Sequence, residues 1–154
     1  MTDRLDVALL HRHFEPHNQE FYSADFLVNG VSLLSATKAS QRDLTGCFMS
    51  LAVEGGNERL AKIFTGELVA DQLPGGRIPL FVCPYCGDAG CGAITFKLTR
   101  RGELVSWSHF AYENTWDDQV TDFGSYSTLG PFEFDLASYK SIIQRAVTMV
   151  TQAA

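Results

Sequence analysis

The sequence predicts an α+β domain in which an antiparallel sheet is covered by a C-terminal helix. Three observations carry that expectation. First, strand-like runs follow one another at residues 78–83, 92–99 and 103–112, the last two joined by the short connection Arg100-Arg101-Gly102. In the middle run Ile94, Phe96 and Leu98 alternate with Thr95, Lys97 and Thr99, the period of a half-buried strand. Second, Asn29-Gly30 separates two apolar segments, 21–28 and 31–34, and favours a type I′ hairpin because both residues accept positive φ. Third, Leu136, Tyr139, Ile142, Ile143, Ala146, Val147 and Val150 recur at helical spacing, with Lys140 and Arg145 on the polar side. A helix with one apolar stripe and a sheet with one apolar face bury each other. The 154 residues suit a single domain, 1–154, with a sheet of about five or six strands.

The remaining elements read in order. Residues 5–14 are strand-like and end at Pro16, and 35–44 is polar, a short helix or loop. The apolar run 48–53 has no clear period and stops at Gly55-Gly56. Asn57 is placed to cap a helix over 58–65, with Leu60, Ile63 and Phe64 inward and Gly66 past its end. Pro74-Gly75-Gly76 is a turn, and Asp135 is the expected N-cap of the last helix.

Composition excludes several classes of function. Apolar residues are 45% and charged residues 19%, and no uninterrupted apolar run reaches the roughly 18 residues of a membrane helix. The net charge of −6 argues against nucleic acid as a partner, because phosphate binding needs a basic face. No apolar h-region follows Met1-Thr2-Asp3-Arg4-Leu5-Asp6, so a cytoplasmic protein is expected, with thiols or metal ligands in place of a disulfide framework. There is no phosphate-binding glycine loop, no Gly-x-Ser-x-Gly elbow and no His-Glu-x-x-His helix, and the expectation is a non-enzymatic protein.

The most unusual stretch is the turn from Cys83 to Gly92, Cys-Pro-Tyr-Cys-Gly-Asp-Ala-Gly-Cys-Gly. Cys-Pro-Tyr-Cys is the tetrapeptide of glutaredoxins, but dithiol chemistry wants the first thiol at a helix N-terminus, and here glycines and a strand follow. Cys-Pro-x-Cys-Gly also has the shape of a zinc knuckle. Cys83, Cys86 and Cys91 would supply three thiolates, and Cys47, His109, His11, His13 or His17 the fourth ligand of a closed site. The third reading is a tight connection of small residues with no ligand. His11-x-His13 by itself reads as a solvated strand face.

The run from Leu80 to Thr95, with Val105-Ser106-Trp107-Ser108 and Phe110-Ala111-Tyr112-Glu113-Asn114, resembles a family of small, uncharacterised bacterial proteins. Its members carry a Cys-x-x-Cys-Gly-Asp-x-Gly-Cys-Gly turn and a Trp-Ser-x-Phe-x-Tyr-Glu strand end. The similarity extends from Phe26-Leu27-Val28-Asn29-Gly30-Val31-Ser32-Leu33 to Leu129-Gly130-Pro131-Phe132, most of the chain. Some members bear a loose oxidoreductase label, which no cofactor-binding pattern accompanies. The resemblance implies one domain of a conserved fold and no known activity.

Charge and aromatic residues are segregated. Residues 102–139 hold no Lys or Arg but seven acids (Glu103, Glu113, Asp117, Asp118, Asp122, Glu133 and Asp135), while 1–101 is net −1 and the last fifteen residues net +2. The same segment holds nine of the eighteen aromatic residues. Aromatic anchors carry interface energy, and clustered acids steer a basic partner. Tyr112, Trp116 and Tyr126 are the expected anchors, and Glu113, Asp117, Asp118 and Asp122 the acids that meet Lys and Arg on a basic protein, most concretely a cognate toxin of the contact-dependent-inhibition type. The competing expectation is that the rings are core and the acids solvated.

Overall fold

The computed structural model describes residues 2–14, 18–84, 91–114 and 120–153. Leu5–Phe14 (β1) and Gln19–Val28 (β2) pair antiparallel from Leu5↔Val28 to Phe14↔Gln19. Asn29 and Gly30 then turn the chain with φ of 52° and 83°, both positive as the Asn-Gly pair requires. The returning strand is shorter than its apolar run suggests: Val31–Ser32 (β3) gives way at once to Leu33–Ala36 (α1). Ser32 Oγ accepts the Ser35 N–H, and the buried Asp25 carboxylate accepts the Leu34 N–H at 3.0 Å and the Ser32 hydroxyl at 2.5 Å. Side-chain acceptors aimed at a first turn favour a helix start over extension. Burial still outweighs these bonds and raises the Asp25 pKa above its ordinary value.

The second sheet contains Thr45–Gly46 (β4), Ile78–Val82 (β5), Ala93–Arg101 (β6), Leu104–Asn114 (β7), Val120–Asp122 (β8) and Phe132–Asp135 (β9). Its order is β4-β5-β6-β7-β8, with β9 also on β7, and every pairing is antiparallel. The expected single sheet is thus two. They are sewn together by the apolar run 48–53, which forms no strand of its own but lies against β2: Ala24 N–H donates to Phe48 O at 3.0 Å, Ser50 N–H to Tyr22 O at 2.8 Å, and Ser23 bridges Met49.

Gly56–Phe64 (α2) begins after Gly55, whose φ is 79°, so Asn57 is not its cap. The Asn57 amide is buried and holds both backbone groups of Met49, accepting its N–H at 3.2 Å and donating to its carbonyl at 3.0 Å. A buried peptide group needs partners, and this amide supplies both. Leu136–Ala153 (α3) starts as its sequence predicts, with Asp135 Oδ2 accepting the Ser138 N–H at 3.1 Å. Its buried stripe of Leu136, Tyr139, Ile143, Ala146, Val147 and Val150 packs on β1 and β2 and reaches β7 and β9. The fold is therefore α+β with the C-terminal helix on the strands.

Trp107 of β7 is the centre of the core. Its fully buried indole meets the rings of Phe96 at 4.6 Å, Phe134 at 5.2 Å, Phe26 at 5.7 Å and Phe64 at 5.9 Å between centroids. Its one polar atom is satisfied: Nε1–H donates to Tyr139 Oη at 3.0 Å, and the Tyr139 hydroxyl donates to Phe64 O at 2.6 Å. A buried indole needs such a partner, and this relay ties β7, α3 and the end of α2 together. No helix of the described residues is long and apolar enough to cross a membrane.

Candidate functional site

Sheet register brings the two unusual sequence features to one place. Thr45 pairs with Val82, Val82 with Ala93, Ala93 with Glu113 and Glu113 with Thr121, a single row across β4, β5, β6, β7 and β8. β5 and β7 run toward this row, while β6 and β8 run away from it. The cysteine connection between β5 and β6 and the connection 115–119 between β7 and β8 therefore leave the sheet at the same end. Tyr112 of β7 lies against the end of the cysteine connection: a Cβ on Gly92, at φ 139°, would come within 2.8 Å of the Tyr112 hydroxyl. Trp116, Asp117, Asp118 and Cys86 lie outside the described residues, as does His17.

The row is anchored by a polar cluster. Arg77, just before β5, reaches across β6 to Glu113 on β7, Nε to Oε2 at 3.1 Å, with the two side chains only 12% and 6% exposed. Thr95 Oγ1 donates to the same Glu113 oxygen at 2.6 Å and lies 3.0 Å from Arg77 Nη2, which also donates to the His109 carbonyl. That carbonyl is presented by a bulge: Thr95 pairs with Ala111 but Lys97 with Ser108, and His109, at φ 54°, takes up the extra residue of β7. An extra residue in one strand bends it and re-aims its groups, here toward a guanidinium. Phe123 lies over Arg77, ring centroid 5.0 Å from the guanidinium carbon, and remains 46% exposed.

This geometry corrects two of the expected docking residues. Glu113 is buried in an ion pair and is no solvent-facing acid, because Arg77 arrives from a distant part of the chain. Tyr126 is 8% exposed and packed in the main core, its hydroxyl donating to Thr37 O at 3.3 Å. Trp107, Phe110, Phe134 and Tyr139 are buried as well, so the aromatic richness of 102–139 is largely core. Tyr112 stays half-buried, with the Arg42 guanidinium carbon 4.0 Å from its ring centroid. Asp122 is partly exposed; the Ser125 hydroxyl donates to Oδ2 at 2.7 Å and the Ser125 N–H to Oδ1 at 3.2 Å, and these bonds hold its pKa below the usual value. Beside it Thr37, Lys38, Gln41, Arg42, Ser125 and Tyr126 line an open cleft of about 460 Å³. Phe123 is the residue that the sequence did not single out. It follows the three-residue strand β8, and no periodicity marks it.

The candidate metal ligands are dispersed among the described residues, where no three His, Cys, Asp or Glu side chains gather as a metal site. The register Val82↔Ala93 puts Cys83 and Cys91 at the neck of one connection. Cys47 packs against the core near Tyr139, where burial pushes its thiol pKa up. His11 stacks on Tyr22 at 4.9 Å, His13 Nε2 lies 2.9 Å from Asn18 Oδ1, and His109 Nδ1 lies 2.9 Å from Ser108 Oγ. No family model, curated protein or solved structure matches the chain.

Proposed function

We propose that this protein binds a basic protein partner through the end of the second sheet where β8 and the connection before it lie. Its most concrete form is a cytoplasmic immunity protein that neutralises a cognate toxin by covering it, without catalysing a reaction. The observation that carries the reading is Phe123, a 46% exposed ring held over Arg77 beside the partly exposed Asp122 on the edge of the sheet. A ring already ordered by its neighbour loses little freedom on docking, and rings beside carboxylates match a surface rich in Lys and Arg. Trp116, Asp117 and Asp118, in the sequence between β7 and β8, are the further docking residues of this reading, together with Tyr112 on β7.

The test is binding, at low salt, to a basic toxin encoded beside this gene. Asp117→Lys with Asp118→Lys is expected to weaken binding at least tenfold, about 1.4 kcal/mol, and Phe123→Ala by a similar factor, with thermal stability unchanged. Unchanged affinity in both variants would sink the reading.

A second reading draws on the same end of the sheet, where Cys83 and Cys91 flank one connection and Cys86 lies between them in sequence: a zinc- or thiol-dependent turn. Here protein purified without chelator is expected to carry about one zinc per chain and to lose it on Cys83→Ser. Metal-free protein whose Cys83 thiol reacts no faster than a model thiol eliminates this alternative.

A further inference from the structure

We infer that β1 is the interface of a homodimer, in which two copies pair antiparallel, edge to edge, about a two-fold axis at Leu9. This surface lies on the first sheet and is independent of the function proposed above. β1 pairs with β2 on one edge and, among the described residues, with no strand on the other; just ahead of β1 that second edge meets β9, where Asp3 N–H donates to Glu133 O at 2.6 Å, and it is open from Leu5 onward. Asn29 N–H donates to Arg4 O, so the even-numbered residues of this pair exchange bonds with β2. The odd-numbered Leu5, Val7, Leu9 and His11 then turn their backbone groups outward, since bonding alternates along an antiparallel pair. Long edges are ordinarily blunted by Lys, Pro or cover. β1 has neither Lys nor Pro, and Leu9 at its middle is 37% exposed.

The bonding pattern restricts how a second copy can add. Outward-facing residues must pair with outward-facing residues, odd with odd, so the two-fold axis passes at a residue and not between two; around the middle of the strand these are Ala8, Leu9 and Leu10. Centring on Ala8 sets Arg4 against the partner's Arg12, a like-charge pair. Centring on Leu10 sets Asp6 against the partner's Phe14 and Ala8 against the partner's Arg12, with no charge matched. Centring on Leu9 sets Asp6 against the partner's Arg12 twice by symmetry, with Ala8 against the partner's Leu10 between them. These even-numbered pairs are the non-hydrogen-bonded ones, whose side chains approach most closely.

Both charges have room to re-pair. The Asp6 side chain is 46% exposed and meets the more exposed Arg4 at 3.1 Å. Arg12 reaches Leu44 O through a long 3.4 Å contact and lies in the field of Asp25 and Asp43. A two-fold interface is self-complementary by construction, and this strand meets that condition in one register. Edge pairing buries less area than an obligate dimer, so the equilibrium belongs in the micromolar range or above.

Sedimentation velocity across about 1 μM to 1 mM is expected to show wild-type protein moving from monomer to dimer. Asp6→Arg and Leu9→Lys, both at exposed positions, are each expected to raise the dimer dissociation constant at least tenfold, and the double exchange Asp6→Arg with Arg12→Asp to restore it. Should the double variant fail to fold, the two single variants decide the matter. A wild type that stays monomeric throughout leaves this edge to a strand of another protein and overturns the proposal. A dimer indifferent to both single variants overturns it too, and a folded double variant that does not regain dimerisation overturns the register.

Discussion

Glu113→Ala is expected to destabilise the fold by about 3–5 kcal/mol, the cost of leaving one member of a buried ion pair without its partner. The Arg77 guanidinium would keep Thr95 Oγ1 at 3.0 Å and the His109 carbonyl, both neutral acceptors, in a place where its side chain is 12% exposed. Neither replaces a carboxylate. Glu113→Gln keeps an acceptor for Thr95 and should cost less, about 1–3 kcal/mol. The double replacement Arg77→Met with Glu113→Leu should cost less than Glu113→Ala, because two apolar side chains remove both desolvated charges together. Urea denaturation of the wild type and the three variants tests this order. If Glu113 were a docking acid, the same substitution would leave the midpoint in place and alter only binding, so a negligible effect of Glu113→Ala, or a double replacement that costs more than it, would refute the structural role.

The same residue shows what was legible in the sequence and what was not. Local patterns were readable: the α3 stripe from Leu136 to Val150, the positive φ at Asn29 and Gly30, and the β6–β7 hairpin, whose turn shifts by one residue to Gly102-Glu103. Each depends on neighbours a few residues apart. Asn57 has the composition of a cap, but its amide serves Met49, eight residues away. Charge segregation is also a property of chain order, and folding partly undoes it. Arg77 neutralises Glu113 across β6, and Arg42 settles on Tyr112, so the segment without a base acquires two. Ring density misleads for the same reason, because Trp107, Phe110, Phe134 and Tyr139 are the core. Register sets the ends of β5, β6 and β7 that flank the cysteine turn and the acidic connection in one row, a coincidence visible only once Val82, Ala93 and Glu113 stand side by side.

The junction between the sheets should be the least forgiving point for an added methyl group. A Cβ on Gly46 would lie 1.9 Å from the Ala24 carbonyl oxygen and 3.0 Å from its carbon. Those atoms are backbone, so no rotamer change relieves the clash. The strands must move apart, and around them lie the Ala24–Phe48 and Tyr22–Ser50 backbone bonds and the buried Thr45 Oγ1–Ser23 Oγ bond of 2.8 Å. Overpacking a core commonly costs about 1–3 kcal/mol. Gly46→Ala should lie at or beyond the upper limit, and about 3 kcal/mol lowers the melting temperature of a chain this size by about 6–12 °C. Gly56→Ala is the control. In the first turn of α2 its Cβ would meet Val53 and Ala52 side-chain atoms at 3.4 and 3.5 Å, and a helical alanine in place of glycine is worth about 0.5–1 kcal/mol in the opposite direction. Thermal unfolding should therefore move the two variants to opposite sides of the wild type. Equal shifts for both would mean that the backbones of β2 and β4 do not meet at Gly46.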